Sequence, residues 1–253
     1  MYRLISSDGN RKSERALPAR SRLPDHPEAK QRPSRLFESV LFTKGNTICP
    51  AYLSEETMNE NQTHTDKRFE DQDYSQQHIS LNHYELCHFI HCDFSDCRIE
   101  DCRFVDCRFQ NTNLSLARFD RSRFLDCEFY GCKLTGIDWT LLDWSSILQT
   151  SPIYLDECDI SFSNFYELKI SELVATRCKA HDVNFEGCDL SKADFSGTEL
   201  TDSQFRSTNL KNSKFNAASQ YFINPLENDI EGASFSFPDV LSLLSPFKIN
   251  IED

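Results

Sequence analysis

The sequence has only 7 glycines, 9 prolines, 2 methionines and 2 tryptophans in 253 residues. So little glycine and proline excludes a collagen-like or proline-rich chain. No apolar run approaches the ~18 residues of a membrane span, and the N-terminus lacks the apolar stretch of a signal peptide. Positive charge is scarce: 27 Lys plus Arg stand against 40 Asp plus Glu, a net charge of −13. A general binder of phosphate backbones needs a basic footprint, so direct nucleic-acid contact is not expected. Nucleophile motifs, glycine-rich phosphate loops and zincin motifs are also missing. These absences point to a cytoplasmic binding protein, not an enzyme, with no cofactor, no metal and no membrane contact.

What is present is a repeat. Hydrophobic content is 39%, with 20 Phe and 11 Cys, too apolar and aromatic for a wholly disordered chain. From Phe69, every fifth residue as far as Trp144 is large and apolar or aromatic. Two residues before each lies a second column, mostly small from Cys87 on, which includes Cys87, Cys92, Cys97, Cys102 and Cys107. The phase then slips by one residue. From Leu155 to Phe215 the large column continues, with small partners such as Cys158, Cys178 and Cys188. The slip lies in 145–152, which contains Pro152, the only proline between residues 67 and 217. Ten of the eleven cysteines fall in the small column, where chance would put roughly one in five.

A period of five fits neither a helix nor a plain strand. It fits a coil of four five-residue sides, each with two side chains turned inward, stacked at the sheet spacing of ~4.8 Å. Units such as Ala193-Asp194-Phe195-Ser196-Gly197, Cys188-Asp189-Leu190-Ser191-Lys192 and Cys92-Asp93-Phe94-Ser95-Asp96 resemble those of the pentapeptide-repeat proteins. The resemblance covers about 67–217, and is weaker in its first three units, where Gln72, Gln77 and Asn82 hold the small positions. It implies an all-β fold, a right-handed quadrilateral β-helix, here with a short C-terminal helix-and-strand cap.

The ends differ from the repeat. Residues 1–36 hold nine Lys or Arg, four acids and four prolines, and 1–66 reads as a disordered or artefactual extension. Met58 is the only methionine after Met1, so translation starting there is a hypothesis; peptides upstream of Met58 in the natively expressed protein would refute it. Residues 218–253 read as a cap. Ser236 is the expected N-cap, Pro238 sits in the first turn, and Val240, Leu241, Leu243 and Leu244 form an apolar face ended by Pro246. Phe247, Ile249 and Ile251 alternate as a short strand would. A solenoid end exposes apolar side chains and unpaired edges, so these seven residues are the expected dimerisation segment of a homodimer.

Other candidate chemistry is weak. His83, Cys87, His88, His91 and Cys92 look like a ligand cluster on paper, but a coil points the two thiols inward and His88 and His91 elsewhere. Cys87, Cys107 and Cys127, twenty apart, should stack as buried free thiols. Like charges also stack: Asp106 with Asp126, Glu100 with Asp120, Asp182 with Asp202, Arg98 with Arg118, and Arg103 with Arg123. Such stacks cost stability unless opposite charges lie between them.

Within the family, the chain resembles the bacterial group of Qnr, MfpA and McbG type. That resemblance implies a homodimeric rod that mimics duplex DNA and protects DNA gyrase or topoisomerase IV from quinolones or peptide toxins such as microcins and albicidin. No long loop insertion is apparent, which makes toxin immunity of the McbG type fit better than quinolone protection. The net charge of −9 over 155–253, against −5 over 67–154, places the expected partner surface at Asp182, Glu186, Asp189, Asp194, Glu199 and Asp202. The alternative is a repeat scaffold for an unknown protein partner.

Overall fold

The computed structural model describes residues 61–144 and 153–250. The basic extension, Met58, Cys49, the slip segment 145–152 and Ile251 lie outside them.

The described residues form a parallel β-solenoid of about eight coils with four sides per coil. The sides are defined here by their central large residues in one coil: the first by Phe89, the second by Phe94, the third by Ile99, the fourth by Phe104. Pairing is parallel throughout and joins residues twenty apart, as in Phe89 with Phe109 and Phe104 with Phe124. Backbone groups are satisfied between coils: Phe94 N–H donates to Asn113 O at 2.7 Å, and Asn113 N–H to Cys92 O at 2.9 Å.

Both inward columns make the core. Phe89, Phe119, Phe129, Phe165, Phe185, Phe195 and Phe215 have no exposed surface. On the first side, Phe69, Phe89, Phe109 and Phe129 stack at 4.7–4.9 Å, and Phe195, Phe215 and Phe235 resume the stack at 5.0–5.3 Å. Each buried Phe contributes roughly 1.5–3 kcal/mol. The small column is small because it lies near the corners, and it is rich in Cys, Ser and Thr because their tips donate to carbonyls of the preceding coil. Ser122 Oγ donates to Ile99 O at 3.0 Å, Thr208 Oγ1 to Phe185 O at 2.9 Å, and Cys107 Sγ to Tyr84 O at 3.5 Å. At the N-terminal end, buried Asn82 does a similar job, accepting from Gln62 N–H at 2.8 Å. Gln72 and Gln77 instead stay exposed and donate to the carbonyls of Glu70 and Asp73.

An Asp or Asn before the central residue favours a turn. Wherever the unit is complete, the Asp or Asn Oδ1 accepts the N–H two residues on, as in Asp93 to Ser95 at 2.8 Å and Asp194 to Ser196 at 3.0 Å. This Asx contact tightens the unit into a turn, closed by bonds such as Cys97 N–H to Phe94 O at 3.1 Å. None of the fourteen short strands among the described residues has Asp or Asn at that position; Arg68–Glu70, His88–Ile90, Arg103–Val105 and Arg123–Leu125 carry Arg or His there. The second side has no strand among the described residues, only single bridges such as Asp73 with Asp93 and Asp93 with Asn113.

Coil length varies at two places. Across the slip, Glu128 pairs with Tyr154 and Asp138 with Asn164. The separation is therefore twenty-six, so the one-residue slip in phase is a six-residue lengthening of one coil. Near the end, Phe205 pairs with Ile223, eighteen apart, before Asn209 with Asp229 restores twenty.

The C-terminal expectations need three corrections. Parallel pairing begins at Thr63 and continues to Phe235, beyond the 67–217 run, because Ile230 and Phe235 return twenty residues after Leu210 and Phe215. Ser236 is not the helix cap: its Oγ accepts from Ala217 N–H at 2.9 Å, and Pro238 occupies the N-cap of a 3-10 helix, Asp239–Phe247. That helix includes Pro246 instead of ending before it. Phe247 ends it with Lys248 left-handed, so 247–250 forms no strand.

Candidate functional site

The outward positions divide unevenly among the four sides. The second side carries seven carboxylates against Lys133 and Lys179, and the fourth nine against five bases. The first and third carry six and seven acids, against five and four bases. The largest excesses of negative charge therefore lie on two opposite sides, net −5 and −4, with −1 and −3 between them.

The six acidic residues singled out in the sequence do not form one patch. Asp189 lies on the fourth side and Asp194 on the first, and both serve the turns. Asp189 Oδ1 accepts from Ser191 N–H and from Asn209 Nδ2 at 2.9 Å, and Asp194 pairs with Lys214 at 3.1 Å. Burial opposes ionisation of Asp194, but its bonds from Ser196 and Lys214 prevail and hold its carboxyl below the usual value. Glu199, on the second side, pairs with His181 at 3.1 Å. Asp182 and Asp202 stack on the corner between the second and third sides, exposed and without an ion pair among the described residues. Glu186 joins Asp202 in a shallow groove of about 440 Å³ that Arg206, Phe222 and Glu227 also line. The three residues brought together are thus Asp182, Glu186 and Asp202. Sequence reasoning missed Glu227 and Phe222, because the shortened last coil brings them in from outside the period.

The like-charged stacks near the N-terminus are interleaved. Arg98 lies 3.2 Å from Glu100 and 3.2 Å from Asp120, and Arg118 lies 3.1 Å from Asp120. Arg121 reaches Glu100 at 2.5 Å and Asp101 at 2.7 Å, while Arg123 pairs with Asp143. Hydrogen bonds from Arg121 hold the Glu100 and Asp101 carboxyls below their usual range.

The thiols point inward and His88 and His91 outward. No group of three or more His, Cys, Asp or Glu among the described residues is placed to hold a metal. Burial pushes Cys97 and Cys188 up to about 12 and Cys102 to about 11, so these thiols stay protonated at neutral pH.

The C-terminal end is apolar. Of the expected dimerisation residues, Leu241, Phe247 and Ile249 are exposed, Val240 and Leu244 half-buried, and Leu243 packs against the core. Phe222, Leu226 and Phe237 add 58–79% exposed side chains to the last coil and the segment leading into the helix. No helix among the described residues is long and apolar enough to cross a membrane.

Comparison with known proteins agrees with the repeat. A family model described as a pentapeptide repeat region matches residues 82–165, and one of eight pentapeptide-repeat copies matches 181–216. Full-length QnrB1, a plasmid-mediated fluoroquinolone resistance protein, is 19% identical over 74% of this chain and 100% of its own, with a TM-score of 0.43. HetL, involved in heterocyst differentiation regulation in the cyanobacterium Nostoc, is 16% identical over 70% of this chain and 75% of its own, with a TM-score of 0.32. A thylakoid-lumen protein of Arabidopsis thaliana is 17% identical over 56% and 67%, with a TM-score of 0.17. No curated protein matches the sequence.

Proposed function

Since the chain is a pentapeptide-repeat protein, we propose that it is a cytoplasmic binding protein, not an enzyme, that mimics duplex DNA. Its partner is the DNA-binding groove of DNA gyrase or topoisomerase IV, and it protects that enzyme from a toxin or antibiotic. The observation that carries this reading is the acidic excess on two opposite sides of a regularly spaced rod, the arrangement that the two phosphate strands give a duplex. Magnitudes are compatible. Eight coils at ~4.8 Å span about 40 Å, over which a duplex carries about two dozen charges. The described residues hold thirty acids and seventeen bases, a net −13, so the rod has about half the charge density of DNA. That supports competition for a basic groove without matching the affinity of DNA.

A homodimer through the C-terminal end belongs to the same proposal, because Leu241, Phe247 and Ile249 leave an apolar surface there. Leu241→Glu with Phe247→Glu is expected to halve the mass seen by light scattering. An unchanged mass would place the interface elsewhere.

The alternative, a scaffold for another protein partner, draws on the arginine-rich N-terminal coils, which are less like DNA. Gyrase supercoiling separates the two. The purified full chain is titrated with and without a quinolone, a microcin and albicidin, and topoisomerase IV is tested by decatenation. Rescue of the poisoned enzyme, or inhibition of the unpoisoned one at stoichiometric protein, supports the DNA-mimic reading. No effect on either enzyme overturns it in favour of the scaffold.

A further inference from the structure

The four corners of the coil differ in what they present. Between the second and third sides the successive corner residues are Asp96, Leu116, Gly136, Phe162, Asp182 and Asp202. They are linked coil to coil: Asp96 N–H donates to Ser115 O, Leu116 to Thr135 O, Gly136 to Ser161 O, Phe162 to His181 O and Asp182 to Thr201 O, at 2.8–2.9 Å. Leu116 and Phe162 are 60% and 66% exposed, two coil spacings apart, with only a glycine between. Carboxylates without ion pairs among the described residues lie beyond them on both flanks.

Nothing in the fold calls for these two side chains. They contribute no core surface, and like the other corner residues, the exposed Leu81 and Leu86 among them, they sit in the left-handed region, at φ 60 and 62, which bulky side chains adopt only under strain. Gly136 completes the arrangement: a Cβ there would lie 2.7 Å from Leu116 Cδ2, so the glycine leaves room for the leucine to lie along the corner. At two other corners the residue beneath a glycine is asparagine, Asn111 under Gly131 and Asn212 under Gly232, which tolerates this conformation. Strained, exposed, adjoining apolar side chains bounded by free carboxylates are the layout of an interaction hot spot with a polar rim.

We propose that Leu116 and Phe162 form an apolar anchor that enters a pocket in the wall of a basic protein groove, with Asp96, Asp182 and Asp202 meeting the cations around it. This rests on the DNA-mimic reading and adds to it, because backbone charge alone offers an enzyme no reason to prefer the mimic over DNA. The anchor supplies an apolar contact that DNA does not present at that pocket.

The test uses the full chain carrying Leu116→Asn with Phe162→Asn, and the gyrase tetramer as probe. Expected are an unchanged or raised melting temperature, since strain is relieved, and at least tenfold weaker binding to gyrase. Asp182→Asn with Asp202→Asn should weaken binding mainly at low salt, through the association rate. If the asparagine pair melts below the wild type, Leu116→Gly with Phe162→Gly replaces it, since glycine bears no strain there. Binding within twofold of the wild type by the folded double variant overturns the anchor while leaving the DNA-mimic reading intact. A changed mass by light scattering also overturns it, assigning the corner to self-association. A wild type that binds neither gyrase nor topoisomerase IV overturns the reading beneath it, and the anchor with it.

Discussion

The coils before residue 145 and those after 152 share one square plan and reach it differently. In the first group, the position before the central residue on three sides is Arg or His except at Thr63, Glu128, Asp138 and Asp143, and ten of the fourteen strands among the described residues end by Tyr130. Their outer surface is a lattice of arginine–carboxylate pairs. In the second group Asp or Asn holds that position at Asp159, Asn164, Asn184, Asp189, Asp194, Asn209 and Asp229, most units close as turns, and strands among the described residues lie only on the first side, at Ile153–Asp156, Val174–Thr176, Lys214–Phe215 and Ser234–Phe235. A short acceptor side chain that can reach the N–H two residues ahead gives a turn. A long cationic one more often leaves the backbone extended, as at Arg68, Arg103 and Arg123, and reaches outward to acids in its own and neighbouring coils, although the units of Arg118, Lys133, Lys169 and Lys179 hold only single bridges. The same side-chain choice therefore sets local backbone form and surface charge pattern together.

The largest expected effect tests whether the two groups are one folding unit. Phe109→Asp and Phe195→Asp each place a charge in a fully buried column, at an expected cost of at least ~4 kcal/mol. Because pairing runs across the twenty-six-residue coil, both variants should lose the whole thermal transition. Hydrogen-exchange protection retained in the opposite half would show that the two groups fold separately.

Next comes the turn mechanism. Asp194→Ala removes the acceptor for Ser196 and should cost about 1–2 kcal/mol in urea unfolding, whereas Asp194→Asn keeps the acceptor and should cost less than about half of that. Equal losses would assign the effect to the Lys214 ion pair instead. In the arginine lattice, Arg121→Ala should lower the urea midpoint only slightly, and most of that difference should vanish in 1 M salt.

The smallest effect is in pH. Arg121 depresses the Glu100 and Asp101 carboxyls. Their contribution is therefore present above the ordinary carboxylate range of about 4 and is lost as pH falls through the depressed values. The urea midpoints of wild type and Arg121→Ala should converge as pH is lowered from 7 to 3; a constant gap would remove these carboxyls from the explanation.

The period of five and both inward columns were legible because the coil permits only two side chains per side to point inward. Ten cysteines in one phase made that visible. The end of the solenoid was not legible: Gln220 and Pro225 interrupt the phase, so Tyr221 and Ile223 entered the core unannounced, although Ile230 and Phe235 keep their twenty-residue distance. The acidic site was legible only as composition. Asp189 and Asp182 look alike in a string of letters, yet one is spent holding a turn and the other stands free on a corner. Their offset from the central residue is what separates them.

Coils of eighteen, twenty and twenty-six residues lie in one stack. What each must conserve is the place where it rejoins its neighbour, as in a spring whose turns can be unequal while the wire still meets itself. Sequence distance and spatial distance are thereby uncoupled: Tyr154 pairs with Glu128 as Arg108 does, although one is six residues further away. Lengthening a single turn renumbers every later contact and replaces none of them, so this architecture can lengthen or shorten a turn without redesigning the next.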